Sequence, residues 1–100
     1  METSALIQDL NRLQDWGLAE GLTLEQLEER LAEKLNGLIL SDFNALISFL
    51  YRVDVSEAKL KQLLKEHPQE DAGRLMARLV MERMWQKIET RRKFSKGAER

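Results

Sequence analysis

Cysteine is absent from the 100 residues. That excludes disulfides, thiolate metal sites, iron–sulfur clusters and cysteine nucleophiles. The single histidine, His67, excludes any site that needs two imidazoles. One proline and five glycines argue against extensive disorder and against a turn-rich β fold. Apolar residues never run uninterrupted for more than a few positions, far short of the roughly 20 that a membrane-spanning helix needs. Met1-Glu2-Thr3-Ser4 has neither the basic region nor the apolar core of a secretory signal, and no lipidation motif closes the C-terminus. The expected location is cytoplasmic.

What is present is leucine. It supplies 18 of the 43 apolar residues. Leucine, alanine and methionine favour helices, whereas β-branched residues, which favour strands, are few. A chain of this length makes one domain with one core. Composition therefore points to an all-α fold, a compact bundle of four to five helices.

The first helix is expected from Thr3 or Ser4, with Leu6, Ile7, Leu10 and Leu13 at helical spacing. Residues 17–22, bounded by Gly17 and Gly21, read as a connector that still touches the core. Thr23 and Gln26 form a capping box flanked by the staple pair Leu22 and Leu27. The stripe Leu24, Leu27, Leu31, Leu35, Leu38 carries the second helix to about Ile39, although Asn36-Gly37 offers an earlier end. Ser41 is the expected N-cap of a third helix that buries Phe43, Leu46, Ile47 and Leu50. Residues 47–55 also alternate with period two (Ile47, Phe49, Tyr51, Val53, Val55). The helix is preferred because no second strand exists for this segment to pair with. Ser56 caps a short fourth helix whose Leu60, Leu63 and Leu64 face inward and which ends before Pro68. Pro68 is then placed in the first position of a long C-terminal helix, with Glu70 and Asp71 in its first turn. Its apolar pattern extends from Ala72 through Ile88 to about Lys93. Residues 1–93 are the expected domain. Residues 94–100, where Gly97 stops any helix, are expected as a flexible basic tail.

Charge is segregated along the chain. Residues 1–40 carry a net −5, residues 41–73 a net −2 and residues 74–100 a net +6. One reading lays the last helix against the acidic second helix. The other turns its basic end outward, with Arg91, Arg92 and Lys93 exposed and unpaired, so that Lys87, Arg91, Arg92, Lys93 and Lys96 contact an anionic partner. A chain pI near 5.9 is far from the basic domain that nucleic-acid binders usually show.

No Glu-x-x-His pair, nucleophile elbow, phosphate-binding glycine loop or EF-hand spacing occurs. His67, before the proline of a turn, reads as a cap or surface residue. Trp16 and Trp85 read as core. In Tyr51-Arg52-Val53-Asp54-Val55-Ser56-Glu57, Asp54 or Ser56 is the expected cap, with Arg52 paired to Asp54 or Glu57. Asp42-Phe43 and this segment from Leu50 through Glu57, with the Lys59-Leu60 that follows, resemble a group of short all-helical bacterial proteins of about this length, over roughly residues 38–93. The resemblance implies a bacterial origin and a helical fold, with no activity, cofactor or site residue to carry over.

The expectation is thus a non-catalytic protein-interaction or structural module without cofactor or metal, working as a homodimer or bound to a partner protein. A helix apolar on nearly all sides is central or lies in an interface. The expected interface is accordingly Met81, Met84, Trp85 and Ile88. The alternative function is nucleic-acid or anionic-surface binding through residues 87–100.

Overall fold

A computed structural model describes the backbone of residues 1–98 and the side chains of residues 1–94. Among the described residues five helices follow one another: α1 (Thr3–Leu13), α2 (Leu24–Ser41), α3 (Phe43–Val53), α4 (Glu57–Glu66) and α5 (Ala72–Ala98). Among the described residues there is no strand, so the period-two alternation of residues 47–55 is incidental to a helix that runs through Val53. The long C-terminal helix is the spine. Its 27 residues span about 40 Å at 1.5 Å per residue. It packs against every other helix, most extensively against α2.

Thr23 accepts from the Gln26 N–H, and the Gln26 side chain accepts from the Thr23 N–H, so the capping box forms at the start of α2. The connector before it turns at Gly17 and Gly21, with φ of 62° and 81°, values that side chains with a Cβ rarely adopt. Asn11 holds the connector by donating to the Leu18 carbonyl at 2.9 Å and accepting from the Leu18 N–H at 2.8 Å. Leu18 is thereby tucked into the core. Trp16 packs on Phe49, with ring centroids 4.8 Å apart.

Three local boundaries differ from the sequence reading. First, α2 continues to Ser41, whose hydroxyl bonds back to the Gly37 carbonyl at 2.7 Å. Asp42, not Ser41, caps α3 by accepting from the Ala45 N–H at 3.1 Å. Second, α3 buries Leu46, Phe49, Leu50 and Val53 and leaves Phe43 and Ile47 exposed. Third, Pro68 lies in the turn before α5. Asp71 stands at the N-cap position, its carboxylate accepting from the Arg74 N–H at 2.9 Å and its carbonyl from the Leu75 N–H. α4 sits at the periphery, with Ser56 as its cap. Its Leu60, Leu63 and Leu64 are half-buried.

At Gly73 in α5 the Asn36 side chain of α2 lies against the backbone. A Cβ built there would fall 2.5 Å from the Asn36 side chain. Asn36 fills that space with hydrogen bonds. It donates to both Asp71 carboxylate oxygens, at 3.0 and 2.9 Å, and accepts from the Gly73 N–H at 3.1 Å. The Asn36-Gly37 pair therefore does not end α2. Its asparagine satisfies a donor that the first turn of α5 would otherwise leave open.

Two stability predictions follow from these contacts. Thr23→Ala should cost about 0.5–2 kcal/mol, and an unchanged urea midpoint would show that the capping box does not hold α2. Gly73→Ala should destabilise by roughly 1–3 kcal/mol, although alanine is the better helix former by about 1 kcal/mol. In an Asn36→Ala background that loss should disappear. An equal loss in both backgrounds would place the strain elsewhere.

Candidate functional site

Apolar side chains that line the chain's own core are not free to meet a partner. Met81, Met84 and Ile88 are buried in that core. Trp85 is half-buried, with the Arg92 guanidinium 5.4 Å from its ring centroid. The apolar circumference of α5 is therefore explained by its central position. Leu75, Met76, Ala77, Leu79 and Val80 are buried alongside these residues.

The basic residues of α5 also find partners within the chain. At the start of α5, Arg74 and Arg78 converge on Glu28 of α2, with Nε to Oε1 distances of 3.3 and 2.6 Å. Arg78 also reaches Glu70 at 3.6 Å. Arg83 donates to the Asp54 carbonyl at 3.2 Å and to its carboxylate at 3.0 Å. Further on, Arg91 pairs with Asp9 within α1 and Arg92 with Glu2 at its N-cap. The expectation that Arg91 and Arg92 stand unpaired is thus corrected, because α1 lies alongside α5 and brings its carboxylates within reach. Lys93 is exposed and Lys87 half-buried. The side chain of Lys96 lies outside the described residues. α5 itself passes Gly97 to reach Ala98, so that glycine does not stop the helix. The rest of the expected tail, residues 99 and 100, lies outside the described residues. Phe94 is exposed.

The segment around Asp54 is a double cap. Asp54 adopts a left-handed conformation, φ 68° and ψ 47°, at the end of α3, a conformation that aspartate tolerates better than most residues. Its N–H bonds to the Leu50 and Tyr51 carbonyls, and the Val55 N–H bonds to Leu50, as in a Schellman closure. Arg52 does not pair with Asp54 or Glu57. It turns to α1, donating to the Leu13 carbonyl at 2.9 Å and to the Gln14 side chain. Positively charged groups are favourable at such a helix C-terminus. His67 Nδ1 lies 2.7 Å from a Glu70 carboxylate oxygen, in the turn before α5.

Apart from Met1, Leu24 and Phe94, the exposed large apolar side chains of the described residues lie on α3 and just before it. Leu40 is 89% exposed, Phe43 57%, Ile47 49% and Tyr51 86%. Weighted by those exposures, four such side chains present on the order of 500 Å². Phe43, Ile47 and Tyr51 recur every fourth residue and so share one face of the helix. The exposed neighbours on that side, Asn44 and Ser48, are uncharged. No charged residue occurs from Phe43 to Tyr51, in a chain of which 33% is charged. The sequence carried this signal. α3 is apolar around most of its circumference, the pattern of a helix covered on two sides, and only one side is covered by the chain itself. The expected burial of Phe43 and Ile47 hid the second side.

No family model, curated protein or solved structure gives a significant match to the chain.

The ion pair between Glu2 and Arg92 predicts a pH response. The Glu2 carboxyl is held below its ordinary value of 4.5 by the Arg92 hydrogen bond and by that residue's charge. A depressed folded-state value means that the contribution is fully present above the ordinary value and is lost as pH falls through the folded one. Amide exchange in the first turn of α1, corrected for intrinsic rates, should accelerate on acidification below about 4.5. Arg92→Gln should remove that step. Exchange with no such step in the parent chain would show that the pair does not hold α1 in place.

Proposed function

We propose that this chain is a non-catalytic interaction module that self-associates through the exposed face of α3. The observation that carries the reading is the symmetry of that uncharged stripe about Ile47. Phe43 lies four residues before it and Tyr51 four residues after. Two copies crossing antiparallel would place Ile47 on the twofold axis and each Phe43 opposite the other copy's Tyr51. A twofold interface must be self-complementary, and a face without charge has nothing to repel its own copy. Two such patches together remove on the order of 1,000 Å² from water, about the least that a specific interface buries. The reading makes the module a homodimer of the bacterial cytoplasm, in keeping with a cysteine-free composition and the resemblance of residues 38–93. The basic end of α5 supports a nucleic-acid function less well, because α1 carboxylates already engage Arg91 and Arg92.

Sedimentation equilibrium tests the assembly. The parent chain should be a dimer in the micromolar range. Ile47→Glu, which sets two carboxylates face to face on the axis, should be monomeric with an unchanged helical circular-dichroism spectrum. Because the chain has no cysteine, Ile47→Cys should cross-link to its own copy under mild oxidation, whereas Glu33→Cys on the exposed side of α2 should not. A parent chain that stays monomeric at high micromolar concentration, or an Ile47→Glu variant that still dimerises, overturns the proposal.

A further inference from the structure

A second feature is independent of α3 pairing. Between α1, the end of α3 and the middle of α5 lies a cleft of about 670 Å³, within the range of small-molecule sites. Leu13 supplies most of its apolar wall, and the nearly buried Val53 and Met84 show only their edges at its floor. Arg12, Arg52, Arg83, Lys87 and Arg91 also line it, against a single carboxylate, Asp9. This imbalance stands out in a chain whose overall charge is −1.

The cations are not equivalent. Arg52 is occupied with the end of α1 and Arg83 with Asp54. Arg12 and Arg91 share Asp9. Lys87 has no carboxylate partner among the described residues, and it is half-buried. A lysine so placed lays its aliphatic stem along apolar surface and keeps its ammonium at the opening. The cleft thus offers an uncommitted positive charge beside an apolar lining, in a field that the other four cations make positive.

We propose that this cleft binds a small amphipathic organic anion, a carboxylate or phosphate ester with an apolar tail, whose head meets Lys87 and whose tail lies against Leu13, Val53 and Met84. The volume suits a small molecule rather than a folded partner. The charge imbalance selects an anion, and the lining selects an apolar body over inorganic phosphate.

The test is an amide-shift titration of the full chain with decanoate below its micelle concentration, compared with decanol, acetate and inorganic phosphate. Decanoate should shift Leu13, Val53 and Met84 saturably, and each comparison compound should bind at least about tenfold more weakly. Lys87→Glu should lose about tenfold or more in decanoate affinity, while Lys87→Arg should retain it. Absence of saturable shifts at these residues overturns the proposal. So does decanol binding as tightly as decanoate, which makes the charge irrelevant. Acetate or phosphate binding as tightly makes the lining irrelevant, with the same consequence. An unchanged affinity in Lys87→Glu removes the assigned head-group contact. The titration is repeated on Ile47→Glu. Decanoate binding there, whatever the oligomeric state, separates this site from the α3 pairing.

Discussion

The fold depends on how closely α2 can approach α5. Helices packed through ordinary side chains sit 8–10 Å apart, and at Gly73 the absence of a Cβ leaves room for the Asn36 side chain between the two. Asn36 uses that space to bind the N-terminal cap and the first turn of α5 at once. The contact sets where α5 begins and aligns Arg74 and Arg78 with Glu28 one and two turns along. α1, α3 and α4 also pack on α5, and α1 and α3 touch α2 as well. A bulkier residue at Gly73 would displace the Asn36 amide and with it the alignment of the spine.

Charge segregation follows from the same geometry. The acidic N-terminal part and the basic C-terminal part are separated in sequence but adjacent in space, because α2 and α1 both lie against α5. Individually, exposed ion pairs of this kind contribute little. Their collective effect is on orientation: Glu28 fixes the start of the spine relative to α2, and Asp9 and Glu2 fix α1 near its far end. Of the two readings the charge pattern allowed, the last helix lying against the acidic second helix is the one the Arg74 and Arg78 pairs with Glu28 agree with. The excess that is left gathers around the cleft beside Lys87.

The apolar surplus divides in a comparable way. Eight apolar side chains of α5, from Leu75 to Ile88, are consumed by its central position. α3 has the opposite circumstance, because it lies on the outside of the bundle. Leu46, Phe49, Leu50 and Val53 are enough to anchor it, so Phe43 and Ile47 are left about half exposed and Tyr51 almost wholly so. An uncharged apolar stripe on an otherwise heavily charged surface is costly in water unless it is covered, and that cost gives the proposed pairing its driving force.

The amino-acid sequence by itself determined the helical class, the start of α2 at Thr23, the connector at Gly17 and Gly21, and the end of α4 before Pro68. These are local properties: helix propensity, side chains reaching three residues along, and backbone angles available to glycine. Only the tertiary structure decided which sides of the helices are covered. Moving the α3 cap from Ser41 to Asp42 is a one-residue change, yet it accompanies a face turned so that Ile47 is outside and Phe49 inside. The partners of Arg52, Arg91 and Arg92 were likewise beyond local reading, because each contact spans at least 38 residues of sequence. The cleft is more distributed still: it exists only where α1, α3 and α5 converge. Residues on three helices share a site through packing, and no spacing along the chain records it.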